Sequence, residues 1–397
     1  MQKTTLFKNF NIITGANILY GASLIVKDER IDKIGYHHGD DAHYSEIIEG
    51  NGEYYLSPGF IDIHVHGGGG FDFMDADPNE YNAIAKHHAK YGTTSFFPTT
   101  TAASREELTD SIKAYDIAKT KKGGAKMLGM HLEGPYLAKS QKGAMDEKYI
   151  RDPISEEYEE LCNLSDEIKR ITAAPELPGS YELGNYLYKR GIIPSVGHTD
   201  AVCEEIINAY NKGNFRLMTH LYSAMSMTRR IGINRYAGAV EAAYLLDGMY
   251  VEIIADGIHL PKELLQLIYK IKGSDRIALI TDAMRGSGMQ SGKSIIGSRK
   301  NGQEVLIEDG VAKLLDKTAF AGSIATTNKL VKTIMEKADV PFIEAIKMMT
   351  ETPAKIMYVF NDRGSLESGK YADIVVIDED INVKLTMIEG DIVYSNY

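Results

Sequence analysis

Cysteine is nearly absent from the sequence: Cys162 and Cys203 are the only two in 397 residues, and they form no CxxC pair. That excludes a disulfide framework and a cysteine-based zinc site, leaving both thiols as packing residues. Tryptophan is missing altogether. Positive charge is also short, with 44 Lys and Arg against 55 Asp and Glu and a formal net charge of −11. A surface of that sign suits neither nucleic acid nor an anionic membrane as main partner, although a locally positive pocket for a small anion stays open. Long apolar runs are lacking too. Nowhere do roughly 18 consecutive apolar residues occur, as a membrane span would need. The opening "MQKTTLFKNFNIITG" has no apolar core of signal-peptide length. A cytoplasmic location is the expectation.

What is present is the composition of a globular protein, 44% apolar and 25% charged. The first part of the chain reads as short strands with turn signals, in "TTLFKNFNIIT", "ANILYGASLIVKDE", "RIDKIGYH" and "EIIEGNGEYYLSPG". The last part reads the same way, in "YADIVVIDED" and "VKLTMIEGDIVYS". Neither end has enough strands to cover its own edges, so the two are expected to pair as one small β-sandwich domain, residues 1–57 with 363–397. Between them, eight apolar runs alternate with amphipathic helical stretches. The runs are "GFIDIHVHG", "TTSFFPTT", "AKMLGMHLEGP", "ITAAPE", "GIIPSVGHT", "FRLMTHLYSAM", "YVEIIADGIHL" and "RIALITDAM". Eight such units in roughly 300 residues predict a (β/α)8 barrel, residues 58–362. The stretch "RGSGMQSGKSIIG" after the eighth run reads as a mobile loop at the barrel mouth.

The strand ends carry the chemistry. His64 and His66 sit two apart in the first run, so both side chains share a face. An HxH alone is a weak sign of a metal. However, the third run ends in Glu133, the fifth in His198, the sixth in His220 and the eighth in Asp282, all at the end where barrels place active sites. Imidazole and carboxylate donors suit a divalent ion, zinc first, with iron, manganese or cobalt as alternatives. Such an ion lowers the pKa of bound water, and Asp282 is placed to orient that water and take its proton. His131 shares the face of Glu133 and is expected either at the site or packed beneath it. His37, His38, His43, His87 and His88 are expected to be solvated or peripheral. The glycines 67–70 lack a G-x-G-x-x-G register and read as a tight turn rather than a phosphate cradle.

The ordered set "PGFIDIHVHGGGGFDFMDA", "HLEGPYL", "APE", "VGHT", "THLYSAM", "IADGIH", "TDAM" and "AGS" resembles the N-acetylglucosamine-6-phosphate deacetylases of the amidohydrolase superfamily, over nearly the whole chain. The resemblance implies that Glu133, His198 and His220 hold a primary metal and that His64 and His66 hold a second one in some members. It implies Asp282 as catalytic acid/base. His259, Ser223, Ala224 and Ala144 of "KGAM" become substrate contacts, and a homodimer lends a residue across its interface. One or two metals per subunit are expected.

Three departures from the family's pattern bear on the substrate. Ser223 stands where asparagine is usual, and Met145 where many members have a polar residue. The family's Arg-Glu-Pro-Gly stretch, whose arginine binds phosphate in the neighbouring subunit, has no clean counterpart in "SMTRRIGINRYAGAV". Arg229, Arg230 and Arg235 are the candidates to replace it, Arg235 being the one taken as substrate-binding. The leading expectation is therefore deacetylation of N-acetylglucosamine 6-phosphate. The second is the same mechanism on another N-acetyl sugar phosphate, an acyl amino acid or a cyclic amide. The third is a barrel that binds sugar phosphate without turnover, against which the full set of ligands plus base argues.

Overall fold

The computed structural model describes residues 3–397. Strands Thr4–Thr14, Asn17–Lys27, Arg30–Gly35, Glu46–Glu49 and Tyr55–Pro58 join Ile374–Ile377, Val383–Ile388 and Asp391–Ser395 in one mixed sheet. The seam between the two ends is the antiparallel pair in which Val375 faces Ser57 and Val376 faces Leu56. Thr4–Thr14 is where the sheet forks, because its first half pairs with Glu46–Glu49 and its second half with Tyr55–Leu56. Side chains from both limbs meet in a separate core that includes Phe7, Phe10, Leu24, Leu56, Val376 and Met387. Each terminal segment thus covers the edge the other would leave open.

The rest of the chain is the barrel. Its strands are β1 (Phe60–Val65), β2 (Thr93–Thr100), β3 (Met130–Glu133), β4 (Ile168–Ala173), β5 (Ile193–Val196), β6 (Leu217–Met218), β7 (Tyr250–Ile253) and β8 (Ile277–Leu279). They pair in parallel in that order from β1 to β8. The barrel closes where Asp282 N–H donates to His64 O at 2.9 Å and His66 N–H to Ala283 O at 2.8 Å. A helix follows each strand, from Pro78–Ala89 after β1 to Thr327–Ala338 after β8. Local signals set where these begin: Asp77 caps the first with Pro78 beside it, and Ser104 with Glu107 forms a capping box on Arg105–Ala118.

Two expectations from the sequence are corrected. The stretch 285–297 is not simply a loop. Gly292–Ile296 pairs with Gln303–Glu308, which pairs with Val311–Leu314, in a three-stranded antiparallel sheet over a core of Met284, Ile296, Val305 and Ile307. Glycine and serine content hid a strand whose partner lies outside the stretch. Nor is His88 peripheral. It is fully buried with Nε2 2.9 Å from Gly67 O, and burial pushes its pKa down to about 4. His87 is half-buried against Ser287 Oγ at 3.1 Å. The glycine run is a turn, as expected. Gly69 and Gly70 have positive φ, and the N–H groups of Gly67, Gly69 and Gly70 go to Ala283 O, Ser287 O and Arg285 O. Those donors are spent on the protein itself and cradle no phosphate.

Candidate metal centre and active site

Five donor side chains converge at the C-terminal ends of β1, β3, β5 and β6. Glu133 is the hub. Its Oε1 lies 2.8 Å from His220 Nε2 and 3.1 Å from His198 Nε2, and its Oε2 lies 3.2 Å from His66 Nε2 and 3.6 Å from His64 Nε2. Two overlapping clusters result, His64–His66–Glu133 and Glu133–His198–His220. Around a tetrahedral ion with bonds of about 2.1 Å, neighbouring ligand atoms lie roughly 3.4 Å apart. The distances observed have that scale, and the donors are nitrogen and oxygen, so the residues fit a divalent ion of the zinc type.

The other ring nitrogens show why the Nε2 atoms point inward. His66 Nδ1 lies 3.2 Å from Thr99 O, His198 Nδ1 2.8 Å from Gln141 O, and His64 Nδ1 3.4 Å from Glu252 Oε2. Acceptors at these positions fix the proton on Nδ1 and leave the Nε2 lone pair for a metal. His220 Nδ1 is buried with no hydrogen-bond partner among the described residues. The backbone is held in an unusual shape here: His198, His220 and Asp282 have φ of 49°, 34° and 48°. Left-handed backbone at non-glycine residues turns each side chain into the mouth just past its strand and is sustained by the surrounding bonds. One such bond runs from Ser323 N–H to Asp282 O at 2.8 Å.

Asp282 reaches the same cluster from β8, with Oδ1 3.2 Å from His66 Nε2 and 3.5 Å from His64 Nε2. Burial alone would raise its carboxyl pKa, but the facing His64 charge and the bond to His66 hold it below the ordinary value. Glu133 behaves likewise, held well below its usual range by His64, His198 and His220 against the cost of burial. Burial opposes charge on His64 too, yet the two carboxylates raise it to about 9. The two carboxylates thus favour positive charge at the centre, which protons on His64 and His66 supply without a metal and a divalent cation would supply in their place.

His66, Glu133, His198, His220 and Asp282 line the floor of a cavity of about 450 Å³, a size that suits a small ligand. Ser223, Ala224, Ala144, Met145 and His259 line it, each where the sequence reading put a substrate contact or a departure from the family pattern. His259 donates Nδ1–H to Asp256 Oδ2 at 2.7 Å, which leaves Nε2 for the cavity. Its ring packs on Phe320, whose segment Thr318–Ala319–Phe320 supplies another wall.

Residues 55–393 match the model of the Amidohydrolase family. The chain belongs to that family. Among its relatives, N-acetylglucosamine-6-phosphate deacetylase of Bacillus subtilis is 33% identical over 402 residues, 99% of this chain and 98% of the relative. An N-acetylgalactosamine-6-phosphate deacetylase of Escherichia coli O157:H7 is 32% identical, covering 85% of this chain and 87% of its own. In three dimensions the amidohydrolase resembles the crystal structure of N-acetylglucosamine-6-phosphate deacetylase from Pasteurella multocida. The TM-score is 0.90 at 31% identity, covering 99% of this chain and 100% of the other. The Mycobacterium smegmatis enzyme, solved as a mutant in complex with N-acetyl-D-glucosamine-6-phosphate, matches with a TM-score of 0.88 at 26% identity, over 99% and 100%.

Some expected residues lie elsewhere. His131 is under the site, with Nε2 2.7 Å from Thr172 Oγ1 and Nδ1 3.2 Å from Thr99 Oγ1. Arg229, Arg230 and Arg235 sit on a hairpin, Arg229–Ile231 with Asn234–Tyr236. Arg229 is paired with Asp200, Arg230 donates to Gly232 O at 2.9 Å, and Arg235 is exposed. None of the three lines the cavity of its own chain, and no described lining residue is Lys or Arg. The sequence reading missed Gln141, whose carbonyl orients His198 and whose amide reaches Asp200 Oδ1 at 3.2 Å. It also missed Glu252, a charge inside the apolar run "YVEIIADGIHL", and Arg170, just before "ITAAPE". A charge in such a run needs a buried partner, and that signal was there to be read.

Proposed function

We propose that this amidohydrolase is a metal-dependent deacetylase of N-acetylglucosamine 6-phosphate, releasing acetate and the amino-sugar phosphate. The observation that carries the reading is the convergence of Glu133, His198, His220 and Asp282 on the floor of a cavity of about 450 Å³. Relatives about a third identical over nearly the full chain act, by their names, on that sugar phosphate. Glu133, His198 and His220 hold the primary ion, and His64 and His66 with Glu133 are placed for a second. Zinc fits the donor set best, iron, manganese and cobalt less well. A divalent ion here supplies Lewis-acid polarisation of the amide carbonyl and lowers the pKa of water. Asp282 takes the proton of the attacking water and returns it to the leaving amine nitrogen. His259, steadied by Asp256, donates from Nε2 to the substrate, and Ser223, Ala224 and Ala144 shape the sugar site.

The phosphate dianion needs a cation that the described lining does not supply. The hairpin carries arginines beside Ile231, Ile233 and Tyr236, and Ile233 is 91% exposed. An exposed apolar tip with basic neighbours fits a homodimer in which Arg235 or Arg230 enters the partner's cavity. No helix of the described residues is long and apolar enough to cross a membrane. A cytoplasmic location is part of this reading, supported by a phosphorylated sugar being a dianion that a bilayer retains on the side where it is made.

A second reading, the same hydrolysis on an epimeric N-acetyl amino-sugar phosphate, is favoured by Ser223 in the sugar wall and by the galactosamine-type relative. Incubating the zinc-loaded protein with a panel of N-acetyl amino sugars, phosphorylated and not, decides between them. Acetate from N-acetylglucosamine 6-phosphate first supports the leading reading. Preference for another epimer supports the second, and no acetate from any of them sinks both.

A further inference from the structure

The interior layer beneath the site is polar where barrels usually pack branched aliphatic side chains. Arg170 on β4 and Glu252 on β7 are both fully buried there and form a two-point ion pair. The five N–H groups of Arg170 all have acceptors. Nε donates to Ser195 Oγ at 2.7 Å, Nη1 to Ile63 O at 3.3 Å and to Glu252 Oε1, and Nη2 to Thr219 Oγ1 at 2.7 Å and Glu252 Oε2 at 2.9 Å. One guanidinium therefore ties β4 to β1, β5 and β7 and to the residue just past β6. Glu252 hands this order upward. Its Oε2 lies 3.4 Å from His64 Nδ1 and accepts the N–H of His220 at 3.3 Å. Those are a ring of one metal cluster and the strained backbone of the other.

A buried ion pair is weak evidence for stability, since apolar residues of similar volume commonly do as well. Orientation explains this one better, because Glu252 Oε2 is shared: Arg170 holds both carboxylate oxygens, and Oε2 also meets His64 Nδ1 and the N–H of His220, residues that face the metal centre. We propose that Arg170 and Glu252 are a positioning pair for the metal centre, Arg170 fixing the Glu252 carboxylate and Glu252 fixing the Nδ1–H tautomer of His64 and the backbone of His220. Neither residue reaches the cavity. The inference rests on the metal reading of the site given above.

The test compares zinc retention of the loaded protein against a chelator of known affinity, without reference to turnover. Single substitutions strand a buried charge and are avoided. Arg170→Met/Glu252→Leu removes the pair and the acceptor together, whereas Arg170→Met/Glu252→Gln keeps an amide oxygen for His64 and His220. The first should release zinc at 10- to 100-fold lower chelator concentration than the parent, about the effect of losing an outer hydrogen-bond partner of a ligand. The second should recover part of that loss. A folded Arg170→Met/Glu252→Leu protein that retains zinc like the parent overturns the proposal. Long-range 15N–1H correlation on the zinc-loaded parent gives an answer independent of variant folding, with His64 signals identified by their loss in His64→Asn. Protonated Nδ1 on His64, with Nε2 metal-bound or bare, supports the pair's role, and a proton on Nε2 with none on Nδ1 overturns it. A parent that binds no zinc overturns the metal reading itself, an outcome distinct from equal retention in parent and variant.

Discussion

At the metal-facing wall of the cavity and just behind it, His64, His66 and His198 each turn a second nitrogen to a fixed acceptor, and beneath them Arg170 makes all the bonds its guanidinium can make. The hairpin that carries Arg229, Arg230 and Arg235 is the opposite. Ile231 and Tyr236 are largely exposed, and Arg230 has a backbone partner two residues away. Bond making and breaking needs atoms held to a few tenths of an ångström, so that wall is built from strands that brace one another. Recognition of a distal phosphate tolerates looser contacts, which on the reading proposed above come from the hairpin of a second subunit. The contrast predicts that damage to the first wall abolishes chemistry for every substrate, while damage to the hairpin changes only which substrate is preferred.

The largest effect is expected for Asp282→Asn. The amide still fills the space but takes no proton, so turnover should fall about 10²–10⁴-fold on phosphorylated and unphosphorylated sugars alike, with metal content intact. Steady-state kinetics beside elemental analysis checks this; loss of metal together with activity would make Asp282 chiefly a ligand. Next come Glu133→Gln and His198→Ala, each of which takes a donor from the Glu133–His198–His220 cluster. Metal affinity should drop by more than the roughly 10- to 100-fold cost of losing an outer partner, and Glu133→Gln should disturb both clusters because its two oxygens face different histidine pairs. His64→Ala should lower metal content only if two ions are held. Full occupancy in both of the first two variants would show that the centre lies elsewhere.

The frame of the first wall has its own pH signature through His88, buried under the glycine turn. Its folded pKa of about 4 lies below the ordinary 6.5, so the unfolded chain takes up a proton that the folded one refuses. Stability from this group is complete above pH 6.5 and is lost as pH falls towards 4. At about 1.4 kcal/mol per pH unit, the whole window is worth about 3 kcal/mol. His88→Gln can still donate to Gly67 O but does not titrate, so its urea midpoint should decline less between pH 7 and 5 than the parent's. Parallel declines would remove His88 from the acid limb.

The smallest effect sharpens the other side of the comparison. Among Arg229→Ala, Arg230→Ala and Arg235→Ala, one of the latter two should raise KM for the phosphorylated sugar at least tenfold and leave the unphosphorylated sugar nearly unchanged, in line with a desolvated charge contact of about 2–5 kcal/mol. Arg229 is engaged with Asp200, so its loss should act less directly. Three variants like the parent would exclude the hairpin as the phosphate clamp.

The barrel was legible because each of its eight strands is a short apolar run closed by turn residues, and the runs "GFIDIHVHG" to "RIALITDAM" all became strands. Glu133, His198, His220 and Asp282 were legible because they end those runs. The sheet Gly292–Leu314 was overlooked, since its first strand lies in a glycine- and serine-rich stretch, although the Asp309-Gly310 turn between Gln303–Glu308 and Val311–Leu314 was a local hairpin signal. His88 looked like a surface histidine on an amphipathic helix, and only the docking of the glycine turn onto it made it a core residue.

By itself, then, the order of residues determined the strand count and which strand ends carry the candidate donors, because periodicity and strand-end placement are local properties. Which oxygen of Glu133 faces which histidine pair was decided by the closing of the barrel, with β1 brought against β8 through Asp282 N–H and His64 O. So was the meeting of Arg170 with Glu252, 82 residues apart along the chain. Such contacts join strands whose spacing around the barrel is fixed only when all eight are in place, and no window of sequence contains them.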